Sequence, residues 1–257
     1  MVQLDSVQYS SAMTELPQLE GRVAIVSGGS RGIGFCIAKA LVSRGSRVAI
    51  FGLNQTRLSL ASERLRQMAP KDFGPVIASV TDIRMADQVQ SFVDDVVKKF
   101  GGLDILINNA GVGGFSEAAE QSVSNWHRII DTNLKGVFHC CRAAIPHLQR
   151  RGSGWIINVS SLAGRYPFPG GSAYCASKAG LNAFSEVLMQ ELRNHNIRVS
   201  CVSPGSVDTD FSGTTTNGDT SWKLNPDDVA QAVVDLLDHE QRSLPSLVEL
   251  RPSKPRR

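Results

Sequence analysis

Arg22-Val-Ala-Ile-Val-Ser-Gly-Gly-Ser-Arg-Gly-Ile-Gly34 decides the fold of this chain, because an unbroken apolar run passes directly into a glycine-rich turn. The apolar half reads as a strand buried on both faces, since its residues do not alternate with polar ones. Glycines let a backbone approach a diphosphate closely. The helix that follows, Gly32–Ser43, offers unpaired N–H groups and the positive end of its dipole. Glycines alone are a weak signal, but between a first strand and a first helix they predict a nucleotide cradle. The residues expected to form it are Gly28, Ser30, Arg31, Gly32, Ile33 and Gly34.

The same alternation continues outward. Further strands are expected at Arg47–Phe51, Val76–Val80, Asp104–Ile107, Trp155–Val159, Arg198–Val202 and Leu247–Leu250. Helical periodicity occupies Gln55–Met68, Met85–Phe100, a long region from Ser124 to Gln149, Ala173–His195 and Pro226–His239. Apolar strands that each lead into a helix imply a parallel sheet covered on both sides. The expected fold class is α/β: a single doubly wound, Rossmann-type domain with a seven-stranded parallel sheet. Its span is residues 19–250, after a flexible leader (1–18) and before a basic flexible tail (251–257). Gly101-Gly102 is expected to close a helix, and Asn225-Pro226-Asp227-Asp228 to open one. Ser206–Lys223 is irregular and follows a strand's carboxyl end, so it is the candidate for a mobile substrate lid; the plain alternative is an ordinary loop.

Composition narrows the classes. The 257 residues are 42% hydrophobic and 20% charged, with a formal charge of +3. That charge is too small to argue for nucleic acid as a partner. No apolar run approaches the ~18 residues of a membrane span. The first twenty residues lack the charged and apolar regions of a signal peptide. The five cysteines are an odd set without a Cys-x-x-Cys pair, which favours a reducing, cytoplasmic setting. The scattered histidines show no metal-ligand spacing.

Chemistry is concentrated in Tyr174-Cys-Ala-Ser-Lys178, which sets a phenol and an ammonium one helical turn apart. A free phenol has a pKa near ~10; a neighbouring positive charge favours the phenolate and lowers that value. Such a group can pass a proton to a carbonyl or take one from an alcohol. A lone Tyr-x-x-x-Lys is by itself more often a surface pair, and the surrounding motifs are what argue otherwise. Cofactor preference is read at the end of the second strand. An acid there would bind a ribose hydroxyl, and Ile50-Phe-Gly-Leu-Asn54 has none. Arg31 can reach a 2′-phosphate, so NADP(H) is expected over NAD(H). Asn54 and Arg57 stand nearby with no fixed direction.

Ser27–Gly34, Asn108-Asn-Ala-Gly111, Asp131-Thr-Asn-Leu-Lys-Gly136, Ser160-Ser161, Tyr174-x-x-x-Lys178 and Pro204-Gly205 occur in that order. Together they resemble the short-chain dehydrogenase/reductases, particularly the subgroup of about 250 residues typified by 3-oxoacyl-ACP reductases. The resemblance spans roughly Leu19 to Leu250. It implies a carbonyl–alcohol oxidoreductase in which Tyr174 is the general acid/base and Lys178 tunes it and binds the nicotinamide ribose. Ser161 would hold the substrate oxygen, with Ser160 the weaker candidate. Asn133 would anchor a water that relays protons from Lys178. Asn109, Ala110 and Gly111 would close over the adenosine. Pro204, Gly205, Val207 and Thr209 would flank the nicotinamide, and Asn54 and Val80 complete the implied cofactor contacts. Three departures stand out: Ser27 replaces a usual threonine, Ser79 a usual aspartate and Leu53 a frequent second arginine. The resemblance also implies a homo-oligomer, dimer or tetramer, with Leu181, Phe184, Val187 and Leu188 serving either an interface or the sheet. Asp104 is expected to brace the cofactor loop or to cap, the Arg165, Tyr166, Phe168 segment to form a partly aromatic substrate entrance, and Trp222 to pack, with substrate contact near the lid as its lesser alternative. The rival reading is a catalytically silent dinucleotide-binding sensor or scaffold.

Overall fold

The computed structural model describes residues 19–69, 76–212 and 219–254. The leader, part of the candidate lid (213–218) and the last three residues of the basic tail lie outside the described residues.

Seven strands form one parallel sheet: β1 (Val23–Ser27), β2 (Arg47–Gly52), β3 (Ile77–Val80), β4 (Ile105–Asn108), β5 (Gly154–Val159), β6 (Ile197–Pro204) and β7 (Leu247–Leu250). Their order is β3-β2-β1-β4-β5-β6-β7. The chain builds outward from β1 on one side, then returns to its other edge with β4, and the carboxyl ends part at that reversal. Open α/β sheets bind ligands at such a point.

Successive strand side chains enter opposite faces, so each strand feeds two cores. On one face Val26, Ile50, Ile107 and Ile157 meet Ile37 and Leu41 of α1 (Gly32–Ser43), Leu58 and Leu65 of α2 (Gln55–Met68), and Val229 and Val233 of α7 (Pro226–Leu237). On the other, Ile25, Phe51, Leu106 and Ile156 meet α3 (Ala86–Phe100), α5 (Gly136–Arg151) and α6 (Ser172–Leu192). In α3 the buried set Val89, Phe92, Val93, Val96 and Phe100 recurs at helical spacing, which gives the helix one apolar stripe.

The predicted punctuation holds. Gly101 ends α3 at φ +82°, a left-handed conformation that glycine adopts without a Cβ clash, and its N–H bonds Val97 O at 2.8 Å. Asn225 opens α7 by accepting from Asp227 N–H at 3.0 Å, while Asp228 accepts from Asn225 N–H at 2.7 Å. This reciprocal cap contributes about 1 kcal/mol.

Three expectations need correction or sorting. The long helical region from Ser124 is present and continuous, but it contains a wide π turn at Asp131–Lys135 between α4 (Val123–Ile130) and α5. Asp104 lies at the amino end of β4, opposite the cofactor loop. It accepts from Val23 N–H at 2.9 Å, Arg151 Nε at 3.0 Å and Arg22 Nη1 at 3.1 Å, and so ties sheet to helix. Within α6, Leu181 and Leu188 belong to the sheet contact, whereas Val187 is exposed.

Candidate active site

The strand ends open into a cleft of about 1280 Å³. At one end the β1–α1 turn carries Gly28 at φ +66°, and a Cβ there would stand 3.0 Å from Ala110 Cα. Glycine at 28 therefore lets the turn and the β4 loop touch. Gly34 serves the same packing: it does not line the cleft, and a side chain there would collide with Asn109 and the Gly28 carbonyl. Ser27 binds the two loops directly, accepting from Asn109 N–H at 2.9 Å and Ala110 N–H at 3.0 Å. A hydroxyl suffices for that contact, so serine in place of threonine keeps it.

Ser30, Arg31, Gly32, Ile33, Asn54, Asn109, Ala110, Gly111, Pro204, Gly205, Val207 and Thr209 all line the cleft as expected, with Leu53 and Arg57. Asn54 also caps α2 by accepting from Arg57 N–H at 2.9 Å. Val80, the last residue of β3, is not among the residues lining the cleft, whereas Thr81 and Asp82 directly after it are. Asp82 is held below the ordinary carboxylate range by its hydrogen bonds with Arg84, the shortest at 2.6 Å. Arg31 donates to the Asp210 carbonyl at 3.3 Å, with its guanidinium 4.0 Å from the carboxylate.

At the other end Tyr174 and Lys178 rise from the first turns of α6, and Ser161 from the end of β5. All three line the cleft. Burial pushes the Tyr174 phenol up, and a hydrogen bond with Ser161 pulls it partly back. Lys178 Nζ stands 6.0 Å from the tyrosine ring centroid and donates to Val159 O at 2.9 Å. Complete burial brings its own pKa down to about 8. The expected lowering of the phenol by its cation is thus reversed in the protein alone, where desolvation dominates. Ser160 also lines the cleft, but its hydroxyl is committed elsewhere: it donates to Asn182 Oδ1 at 2.6 Å.

Asn133 sits in the π turn, fully buried and outside the cleft wall. Its Oδ1 accepts from Val112 N–H at 2.8 Å, and its Nδ2 donates to Val112 O at 2.9 Å and Ser177 Oγ at 3.1 Å. Its carboxamide is therefore spent on positioning the β4 loop and α6. π turns of this kind often mark functional sites.

The sequence reading missed a polar ladder beneath the site. Asn108 donates to Asn158 Oδ1 at 2.8 Å, and Asn158 to Ser185 Oγ at 2.8 Å. Paired asparagines ending two apolar strands were the available signal. It also missed Phe115 and Phe211, whose rings flank Tyr174. The neck of the candidate lid is closed by Asp208 N–H to Leu224 O (2.8 Å) and Leu224 N–H to Ser206 O (3.0 Å).

These residues fit a dinucleotide. One end has a glycine turn with N–H groups and close loop packing. The other has a buried ammonium with three donors, of which the Val159 carbonyl takes one. Among the described residues no cluster of metal-ligating side chains exists and no helix is long and apolar enough to cross a membrane.

Residues 22–220 match the family model described as short chain dehydrogenase. The chain belongs to the short-chain dehydrogenase/reductase family. It is 35% identical over 231 residues to a 3-oxoacyl-acyl-carrier-protein reductase of Chlamydia muridarum, covering 86% of this chain and 92% of that one. Among solved structures it resembles an alcohol dehydrogenase of the archaeon Thermococcus sibiricus complexed with 5-hydroxy-NADP, with TM-score 0.84 and 30% identity over 92% of this chain and 98% of that one. It also resembles a metagenomic short-chain oxidoreductase in complex with NADP, with TM-score 0.80 and 35% identity over 92% and 100% of the respective chains.

Proposed function

We propose that this oxidoreductase interconverts a carbonyl and a secondary alcohol with NADP(H) in preference to NAD(H), and that Tyr174 is its acid/base. The observation that carries the reading is the meeting of Tyr174, Ser161 and Lys178 in one wall of the cleft that the glycine turn closes at its far end.

When bound, the dinucleotide supplies or accepts the hydride. In the reducing direction a C–H bond forms at the carbonyl carbon, the C=O π pair moves onto oxygen, and the Tyr174 proton completes the hydroxyl. Ser161 and Tyr174 hydrogen bonds hold that oxygen and strengthen as its charge grows. Lys178, positive below a pKa of about 8, stabilises the phenolate left behind. Asn133 keeps the β4 loop and the α6 turn in register. Gly28, Ser30, Gly32 and Ile33 take the diphosphate end, Asn109–Gly111 the adenosine side, and Pro204, Gly205, Val207 and Thr209 the nicotinamide. Arg31, with Asn54 and Arg57 nearby, supports the phosphorylated cofactor.

A screen of carbonyls followed by nicotinamide absorbance, with each dinucleotide separately, tests the reading. Tyr174→Phe is expected to lower kcat by about 10²–10⁴-fold while dinucleotide binding survives. Undiminished turnover would refute the assignment.

A further inference from the structure

Three phenyl rings from three different loops gather around the candidate proton donor. Phe115 follows β4, Phe168 follows β5 and Phe211 follows β6. The Phe115 and Phe211 centroids each lie 5.8 Å from that of Tyr174, at interplanar angles of 77° and 60°. Phe168 joins through Phe115 at 5.7 Å. All three line the cleft, yet they are 51%, 44% and 39% exposed for Phe115, Phe168 and Phe211. Large apolar side chains left open together inside a concave site mark a ligand surface rather than a core.

The cluster is also built into the backbone. A Cβ on Gly113 would stand 2.8 Å from Phe211 Cε1, so glycine at that position lets the ring lie against the chain. Charge at this end is largely committed. Arg128 donates to Gly113 O at 2.8 Å and Asn125 Oδ1 at 2.7 Å. Arg165 and Arg251 share Glu249 at 3.0 and 3.1 Å. The rings are tilted to one another, which leaves both edges and faces for another ring; aromatic pairs favour such tilted contacts at centroid distances of about 4.5–7 Å.

Resting on the oxidoreductase reading of this site, we propose that the substrate carries an aromatic ring next to its carbonyl, seated among Phe115, Phe168 and Phe211 while the oxygen meets Tyr174 and Ser161. The rival is an acyl thioester presented on an acidic carrier, for which Lys254 lines the same cleft.

Acetylbenzoyl and diacetyl differ by a phenyl for a methyl and test the difference directly. With NADPH and the full chain, kcat/KM for acetylbenzoyl is expected to exceed that for diacetyl and for acetoacetyl-CoA by about tenfold or more. Phe115→Leu and Phe211→Leu keep the site apolar but remove a ring, and each should shrink the acetylbenzoyl-to-diacetyl ratio about threefold or more. Isothermal titration with the two diketones should show the same preference without turnover. A wild-type ratio near one, a ratio that neither substitution moves, or faster turnover of acetoacetyl-CoA overturns the aryl site while leaving the oxidoreductase reading intact. No turnover of any of the three with either dinucleotide overturns both.

Discussion

Asn133 holds Val112 by both of its backbone polar groups, accepting from the N–H at 2.8 Å and donating to the carbonyl at 2.9 Å. The same carboxamide reaches Ser177, the neighbour of Lys178. One side chain thus joins the π turn, the β4 loop and α6. Asn133→Ala would strand part-buried partners on Val112 and is expected to cost about 2–4 kcal/mol. Calorimetry should show a melting temperature lower by about 5–10 °C. An unchanged transition would show that the clamp is not needed for the fold.

Lys178 is buried at a cost. Its pKa falls to about 8 because desolvation disfavours the ammonium. The unfolded lysine, with a pKa near ~10.4, then binds more protons than the folded one between about pH 8 and 10.4, so this residue's contribution to stability rises with pH across that window. At neutral pH the charged form opposes folding. Lys178→Met is therefore expected to abolish turnover yet raise stability at pH 7 by about 1–3 kcal/mol, with the gain fading towards pH 10. Denaturant titrations of both proteins across that range provide the check, and a destabilised variant at pH 7 would contradict it.

Arg31 bonds Asp210, a residue 179 positions away, from within the glycine turn. If its guanidinium also carries the cofactor preference, Arg31→Ala should raise the KM for NADPH about tenfold, equivalent to about 1.4 kcal/mol. The KM for NADH should change about twofold or less. Steady-state kinetics with both dinucleotides decide this, and equal effects would remove the basis for the preference.

Asp104 joins Val23, Arg22 and Arg151 from a fully enclosed carboxylate. Burial pushes that carboxyl up, but the hydrogen bonds from Arg151, the Val23 N–H and Arg22 outweigh it and leave the pKa below the ordinary value. Its contribution is present above the unfolded pKa of about 3.9 and is lost as pH falls through the folded one. Asp104→Asn is expected to cost about 2 kcal/mol at neutral pH, with the two proteins converging in acid. A difference independent of pH would argue against ionic ties at the amino end of β4.

Legibility followed the range of the interactions. Buried strands, the glycine turn, the Asn225 cap and the Tyr174–Lys178 spacing depend on neighbours a few positions apart, and each was readable. Asp104 was left between two roles because its partners Arg22 and Arg151 stand 82 and 47 positions away in the chain.

The order of residues by itself determined a parallel α/β sheet, a cradle after the first strand, and a phenol one turn from an ammonium, since periodicity and turn chemistry are local. Only the tertiary structure decided that Phe115 and Phe211 flank that phenol with Phe168 against Phe115, that Asn133 grips Val112 from within a π turn, and that enclosure moves both titrating groups away from their solution values. Those contacts depend on which strand ends the sheet order brings together. Desolvation depends on everything packed around a group, and no local pattern encodes either.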